Sequence, residues 1–261
     1  MSRKFAVAAL LAGLATGAMA ASAMAQCAAP FLICIGGDSF SYETIYQTAP
    51  ADSFDSHAGS HLKVVGKVAS FGAPLAYLNA NMGTMEYTFV WDLTSSGTVK
   101  TAPSGQNGED WDTAYTGGTF TIYEDAAMNA PGAATMPPNP PVAGVVPDLF
   151  VDGTPILTGV FDVFTTRVTL RANPPPLPPG LRFGGSWNAN YHFTGGRPAE
   201  YGLVGSAVAS AGALWCTTGP SSLGQCGNPT GYSAHPSGKF DVPGSTPTSS
   251  STWGRIKVLY R

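Results

Sequence analysis

Charge is what this chain has least of. Only 11% of its 261 residues are charged, 13 Lys and Arg against 16 Asp and Glu, and the net charge of −3 offers no basic surface. Nucleic acid is therefore not an expected partner. Apolar runs are also missing beyond the first 26 residues: no later segment holds the roughly 18 uninterrupted apolar residues that a membrane helix needs. The ending Tyr260-Arg261 is not the terminal aromatic common in outer-membrane barrels, so no membrane insertion is expected. Catalytic signatures are absent too. Gly205-Ser206-Ala207 and Gly185-Ser186-Trp187 stop short of the G-x-S-x-G elbow, and no histidine is placed by sequence to activate either serine. Glu86 and Asp92 share a predicted strand but lie about 20 Å apart along it, too far to cooperate in glycoside hydrolysis. No enzyme is expected.

Long helices are opposed by 32 Gly and 22 Pro. A hydrophobic fraction of 44% with well-spaced aromatics still supports one packed domain with long loops.

The first 26 residues are the strongest positive signal. Arg3 and Lys4, the apolar stretch from Phe5 to Met19 and the small-residue ending Ala23-Met24-Ala25 read as a secretory signal peptide over 1–25. Its removal would leave 11 basic and 16 acidic residues. Cys27 follows Ala25-Gln26 and lacks the two small residues that a lipid-attachment signal wants before its cysteine. Export to the periplasm or the cell exterior permits disulfides. The four cysteines fall into two local pairs, Cys27 with Cys34 and Cys216 with Cys226; local pairing is preferred because short loops close at small entropic cost. A bridge between the two pairs is the alternative. Neither spacing is the C-x2-C of a zinc site.

Strand periodicity dominates the rest. In residues 85–93, Met85, Tyr87, Phe89, Trp91 and Leu93 share one face, with Glu86, Thr88 and Asp92 on the other. Residues 183–193 repeat the pattern with Phe183, Trp187, Ala189, Tyr191 and Phe193. Weaker strands are expected at 62–70, 119–125, 156–160 and 162–171, rich in β-branched and aromatic residues. Turn-forming clusters at 94–97, 103–108, 117–118 and the proline tract 173–180 separate them. The fold class is all-β: an antiparallel β-sandwich or jelly-roll-like domain over 62–261, with long Gly/Pro-rich loops, preceded by an extended segment 26–61. The proline-rich stretch 130–147 reads as a surface loop between halves of the sandwich or a linker. At the end, Trp253, Ile256 and Tyr260 favour a short helix, whereas Ile256, Val258 and Tyr260 alternate as in a strand.

Residues 117–125, 86–89 and 252–261 together resemble patches in a group of uncharacterised exported β-rich proteins of environmental bacteria. The resemblance covers scattered parts of 62–261, and it implies an autonomous module with no activity to carry over.

Two polar clusters have site-like composition. Asp52, Asp55, His57 and His61 lie within ten residues, and the two histidines would face one way on a helix, as metal ligands do. No Glu follows His57, and Gly59 weakens such a helix, so the favoured reading is a polar loop leading into a strand. Glu109, Asp110 and Asp112 form an acidic cluster of the kind that holds structural calcium in exported sandwiches. Their spacing fits no EF-hand loop, and a solvated loop is the favoured reading. Trp111, Tyr115 and Tyr232 are the candidates for stacking on sugars.

The expectation reached is an exported, disulfide-linked, non-enzymatic β-protein with a structural or adhesive role at the cell surface, in its concrete form a self-assembling subunit whose 26–61 segment supplies a strand to a neighbour. Its partners would be copies of itself or other surface proteins. A carbohydrate- or other ligand-binding module comes second, with glycans as partners, and a secreted hydrolase third.

Overall fold

The computed structural model describes residues 27, 30–43, 56–101, 108–132, 135–136, 146–171, 183–205, 209–217, 232 and 234–242. Among them nine strands form one antiparallel sheet: β1 (Ile33–Glu43), β2 (His61–Phe71), β3 (Glu86–Thr101), β4 (Gly108–Asp125), β5 (Thr154–Arg171), β6 (Phe183–Gly196), β7 (Ala209–Thr217), β8 (Ala234–Pro236) and β9 (Gly238–Phe240). Strands β2 to β7 follow one another as a meander. β1 pairs with β2 on one flank and with β8 and β9 on the other. β7 pairs with β6 on one flank and again with β8 and β9 on the other. The hydrogen bonding thus returns to the strand where it began, and the sheet curls into a barrel. β8 and β9 hold one register against β7, Trp215 opposite Pro236 and Ala211 opposite Phe240, so they act as one strand interrupted at Ser237. The all-β antiparallel expectation is met, and the facing layers expected of a sandwich are opposite walls of one continuous sheet.

Period-two alternation decides what fills the barrel. Tyr87, Phe89, Trp91 and Leu93 of β3 and Trp187, Ala189, Tyr191 and Phe193 of β6 are buried in one core, joined by Phe120, Phe161, Phe164 and Phe240. Trp91 is the hub. Its ring lies 5.1 Å from that of Trp187, 5.5 Å from Phe161, and 5.8 Å from both Phe164 and Phe240. These are edge-to-face distances at which an aromatic pair adds about 0.5–1.5 kcal/mol beyond area burial.

Two turn clusters read from the sequence are not turns. Thr94 to Gly97 and Gly117-Gly118 lie inside β3 and β4, where the register shifts between Asp92 and Thr94 and between Ser95 and Thr98. Both strands are flanked by partners, so the extra residues are accommodated as bulges, which bend a sheet and help it close. Residues 156–160 and 162–171 likewise belong to one strand, β5, with a register shift between Phe161 and Val163. Small residues leave room for rings: a Cβ on Gly118 would sit 2.6 Å from Leu93 Cδ2. One on Gly159 would overlap the Phe120 ring and lie 2.7 Å from the His192 carbonyl oxygen.

The segment expected to precede the domain is part of it, because β1 lies within 26–61 and is the strand on which the ring closes. The Cys27–Cys34 disulfide ties the chain before β1 to that strand. Cys226 and the Cys216 side chain lie outside the described residues, as do 1–25, 173–180 and the C-terminal helix expected at 249–261. Ala130 and Met136 of the proline-rich stretch, with Phe150 just beyond it, pack against the barrel's outer wall, clustering with Phe40 and Tyr42 of β1, Val65 of β2 and Tyr232. Thr88 Oγ1 donates to the Phe150 carbonyl (2.9 Å), and the Ala130 amide donates to Glu86 Oε1 (2.7 Å).

Gly159→Ala is expected to cost about 1–3 kcal/mol through overpacking. Gly83→Ala, where an added Cβ meets nothing within 4 Å, should stay within about 0.5 kcal/mol of the parent. Urea denaturation of both variants measures the contrast, and equal stabilities would contradict the filled interior.

Candidate functional site

The barrel's interior changes character along β1. Toward its start the inward residues are Ile33 and Ile35, in the aromatic core; toward its end they are Ser39, Ser41 and Glu43, all buried. Glu43 is 6% exposed, and its carboxyl accepts three hydroxyl hydrogen bonds. Ser56 Oγ (2.7 Å) and Ser60 Oγ (3.3 Å) donate to Oε2, and the Tyr115 hydroxyl (2.9 Å) donates to Oε1. Around this carboxyl the Ser56 amide donates to Thr98 Oγ1 (2.8 Å), which shares a hydrogen bond with Thr113 Oγ1 (2.7 Å). Ser41 Oγ donates to the Ala234 carbonyl (3.4 Å), and Ser39 Oγ to that of Pro236. The Tyr115 ring, 5.6 Å from Phe164, joins this polar layer to the aromatic one below it.

Burial pushes the Glu43 carboxyl above the ordinary glutamate range, against the hydrogen bonds from Ser56, Tyr115 and Ser60 and the charge of His57. All its donors come from the chain itself, and they join β1, β4 and the 56–60 turn. The chemistry available is that of a clasp: an enclosed acid whose oxygens are already engaged.

The acidic and histidine clusters separate. Asp52 and Asp55 lie outside the described residues. His57 is exposed in the turn before β2, and His61 opens β2, with Nδ1 3.0 Å from Asp92 Oδ1 on the outer wall. Lys63 pairs with the same carboxylate. Burial works to raise the Asp92 pKa, but the hydrogen bonds from Lys63 and His61 outweigh it, and the net direction is down. On β4 the alternation splits 109–112: Trp111 turns inward, and Asp112 faces out into a two-pronged pair with Arg167, Nε to Oδ1 2.6 Å and Nη2 to Oδ2 2.8 Å. Asp110 is half-buried, and the Glu109 side chain lies outside the described residues. Among the described residues no three His, Cys, Asp or Glu side chains come together as a metal site. Trp111, Tyr115 and Tyr232 are 8%, 5% and 5% exposed, so none presents a ring face at the surface. Tyr232 packs between Phe40 and Tyr42 on the outer wall, with ring centroids 5.8 and 5.7 Å away.

No family model matches this chain, and neither does a curated protein or a solved structure. Outside the barrel, Val99, Asp112, Thr165, Arg167, Ser186 and Asn188 line an open groove of about 580 Å³. Glu43 was not legible as a buried group, because Phe40 and Tyr42 alternate with Ser39, Ser41 and Glu43 and would be read as the inward set. An acidic residue ending a strand with serines on its own face was the available signal.

A raised native pKa means that the folded state holds its proton more tightly than the unfolded chain. Stability from Glu43 is therefore full below the ordinary glutamate range, about pH 4–5, and is lost as pH rises through the raised native value. Relative to Glu43→Gln, which cannot ionise, the parent should lose stability as pH rises from the ordinary glutamate range, about pH 4–5, through the raised native value. Chemical denaturation across that range measures it; a difference independent of pH would contradict the burial. Glu43→Ala should cost about 1–3 kcal/mol by stranding hydroxyl donors.

Proposed function

We propose that this chain is an exported, non-enzymatic display module: a rigid barrel that presents its rims and outer wall to other molecules at the cell surface, in an adhesive role. The observation that carries the reading is the filled interior. Trp91, Trp187, Tyr191, Phe164 and Phe193 are 0–1% exposed, and their mutual contacts occupy the space that a barrel with an internal ligand would keep open. Binding is left to the outside.

Three further features support it. The Cys27–Cys34 bond suits an oxidising compartment, which agrees with the export signal read at 1–25. Many outward residues of β4 to β6, among them Thr116, Thr119, Asp162, Asn188, Asn190 and Thr194, are exposed and polar, with Val163 an apolar exception, unlike the continuous apolar band of a lipid-facing barrel. Each described strand pairs on both flanks over at least part of its length, and β1 is used within its own chain. Recognition of another surface molecule is thus favoured over strand exchange between copies.

Expression of the full chain in a bacterial host should place the protein outside the cytoplasm, lacking residues 1–25 and cut by protease added to intact cells. Fluorescence titration with a long-chain acyl probe should show no stoichiometric uptake. Full-length protein confined to the cytosol would contradict export, and saturable one-to-one acyl binding would contradict the filled interior.

A further inference from the structure

At the barrel end opposite Glu43, two tyrosines are left open. Tyr77 belongs to the 3-10 helix Leu75–Asn81 between β2 and β3, and Tyr201 ends the 3-10 helix Arg197–Tyr201 after β6. They are 42% and 43% exposed, and their ring centroids are 6.4 Å apart at 44°. The two tilted rings lie side by side at the surface.

Both rings are held from behind. Leu75 and Leu78 of the first helix are buried in the core, and the Asn79 side chain locks that helix to β2, accepting from the Phe71 amide and donating to the Phe71 carbonyl at 2.8 Å each. The second helix is closed by Gly202 in the left-handed conformation, with the Leu203 amide donating to the Pro198 carbonyl (3.0 Å). Arg197 ties the Tyr77 ring to the barrel. One guanidinium nitrogen donates to the Tyr77 hydroxyl (3.5 Å), and another donates to Glu124 Oε2 (2.9 Å), whose Oε1 accepts from the Tyr87 hydroxyl (2.8 Å). Two part-exposed aromatic rings on short, anchored elements are a pre-organised surface, which lowers the ordering cost of binding.

We infer that this rim binds a neutral glycan, the C–H faces of its pyranose rings lying on Tyr77 and Tyr201 and its hydroxyls meeting the polar groups around them. The inference deepens the display reading and rests on it. The neighbouring charges select the ligand class. Arg197 beside the rings disfavours a cation, while its pairing with Glu124 and the exposed Glu200 on the same helix disfavour an anion. The Tyr77 hydroxyl, bonded to Arg197 at the ring edge, suits a partner that is apolar on its faces and polar at its rim.

The test is calorimetric titration of the purified full chain with cellohexaose, chitohexaose, xylohexaose and mannohexaose. At least one should bind saturably. Tyr201→Ala and Tyr77→Ala should each weaken that binding about tenfold, the loss of one stacking partner. Tyr201→Phe should keep it within about threefold, since the ring remains. Thr119→Ala on the outer wall should leave it unchanged, and matching melting curves show that the variants fold. Because Tyr77 also holds Arg197, Tyr201→Ala is the cleaner variant if Tyr77→Ala melts early. Absence of binding to all four sugars overturns the glycan assignment. Binding that survives in the variant combining Tyr77→Ala with Tyr201→Ala removes the rim site but leaves the display reading standing; a protein that binds neither these sugars nor intact cells removes both.

Discussion

The contact of Trp91 with rings from across the barrel constrains everything else in this structure. Trp91 sits on β3, and its neighbours Phe161 and Phe164, Trp187 and Phe240 come from β5, β6 and β9. A group this large can be enclosed only if the sheet curls fully around it, and it can be packed only if glycine stands where rings press on the backbone, as at Gly118 and Gly159. Closure then requires a strand between β2 and β9. The chain supplies β1 from a segment that composition alone would set apart from the domain.

That filled core divides the barrel into regions with separate roles. The aromatic layer supplies rigidity, since rings in mutual contact have few alternative arrangements at interior packing density. The layer above it is polar and self-satisfied, with Glu43 fastening β1, β4 and the turn before β2. The opposite end carries Tyr77 and Tyr201 outward on anchored 3-10 helices. An interior that is full and an acid that is capped leave the rims and outer walls as the surfaces open to other molecules.

Legibility in the sequence followed how many faces of a strand are covered. For β3 and β6 one face meets the core and the other meets water, so alternation marked Trp91 and Trp187 as interior. For β1 both faces are covered, because Ala130, Met136, Phe150 and Tyr232 pack outside Phe40 and Tyr42. The apolar set there points outward and the serines and Glu43 point in, which reverses what alternation suggests. The clusters at 94–97 and 117–118 carry turn chemistry yet sit in paired strands, since glycines serve a bulge as well as a turn. At 109–112 the β4 alternation sends Trp111 inward and commits Asp112 to Arg167, partners that lie 55 residues apart and leave no local trace. Tyr77 and Tyr201 were equally hidden, because their proximity depends on the barrel bringing two connections to one rim.

Amide hydrogen exchange tests the closed, filled barrel most directly. If β1 lies between β2 and β9 around the Trp91 cluster, the amides that pair Ile33 and Ile35 with Phe240 and Gly238 should exchange as slowly as those at the centre of β4, opening only with global unfolding. Rapid exchange at Ile33, Ile35, Gly238 and Phe240 while β4 stays protected would mean an open sheet with two edges, and would contradict the account.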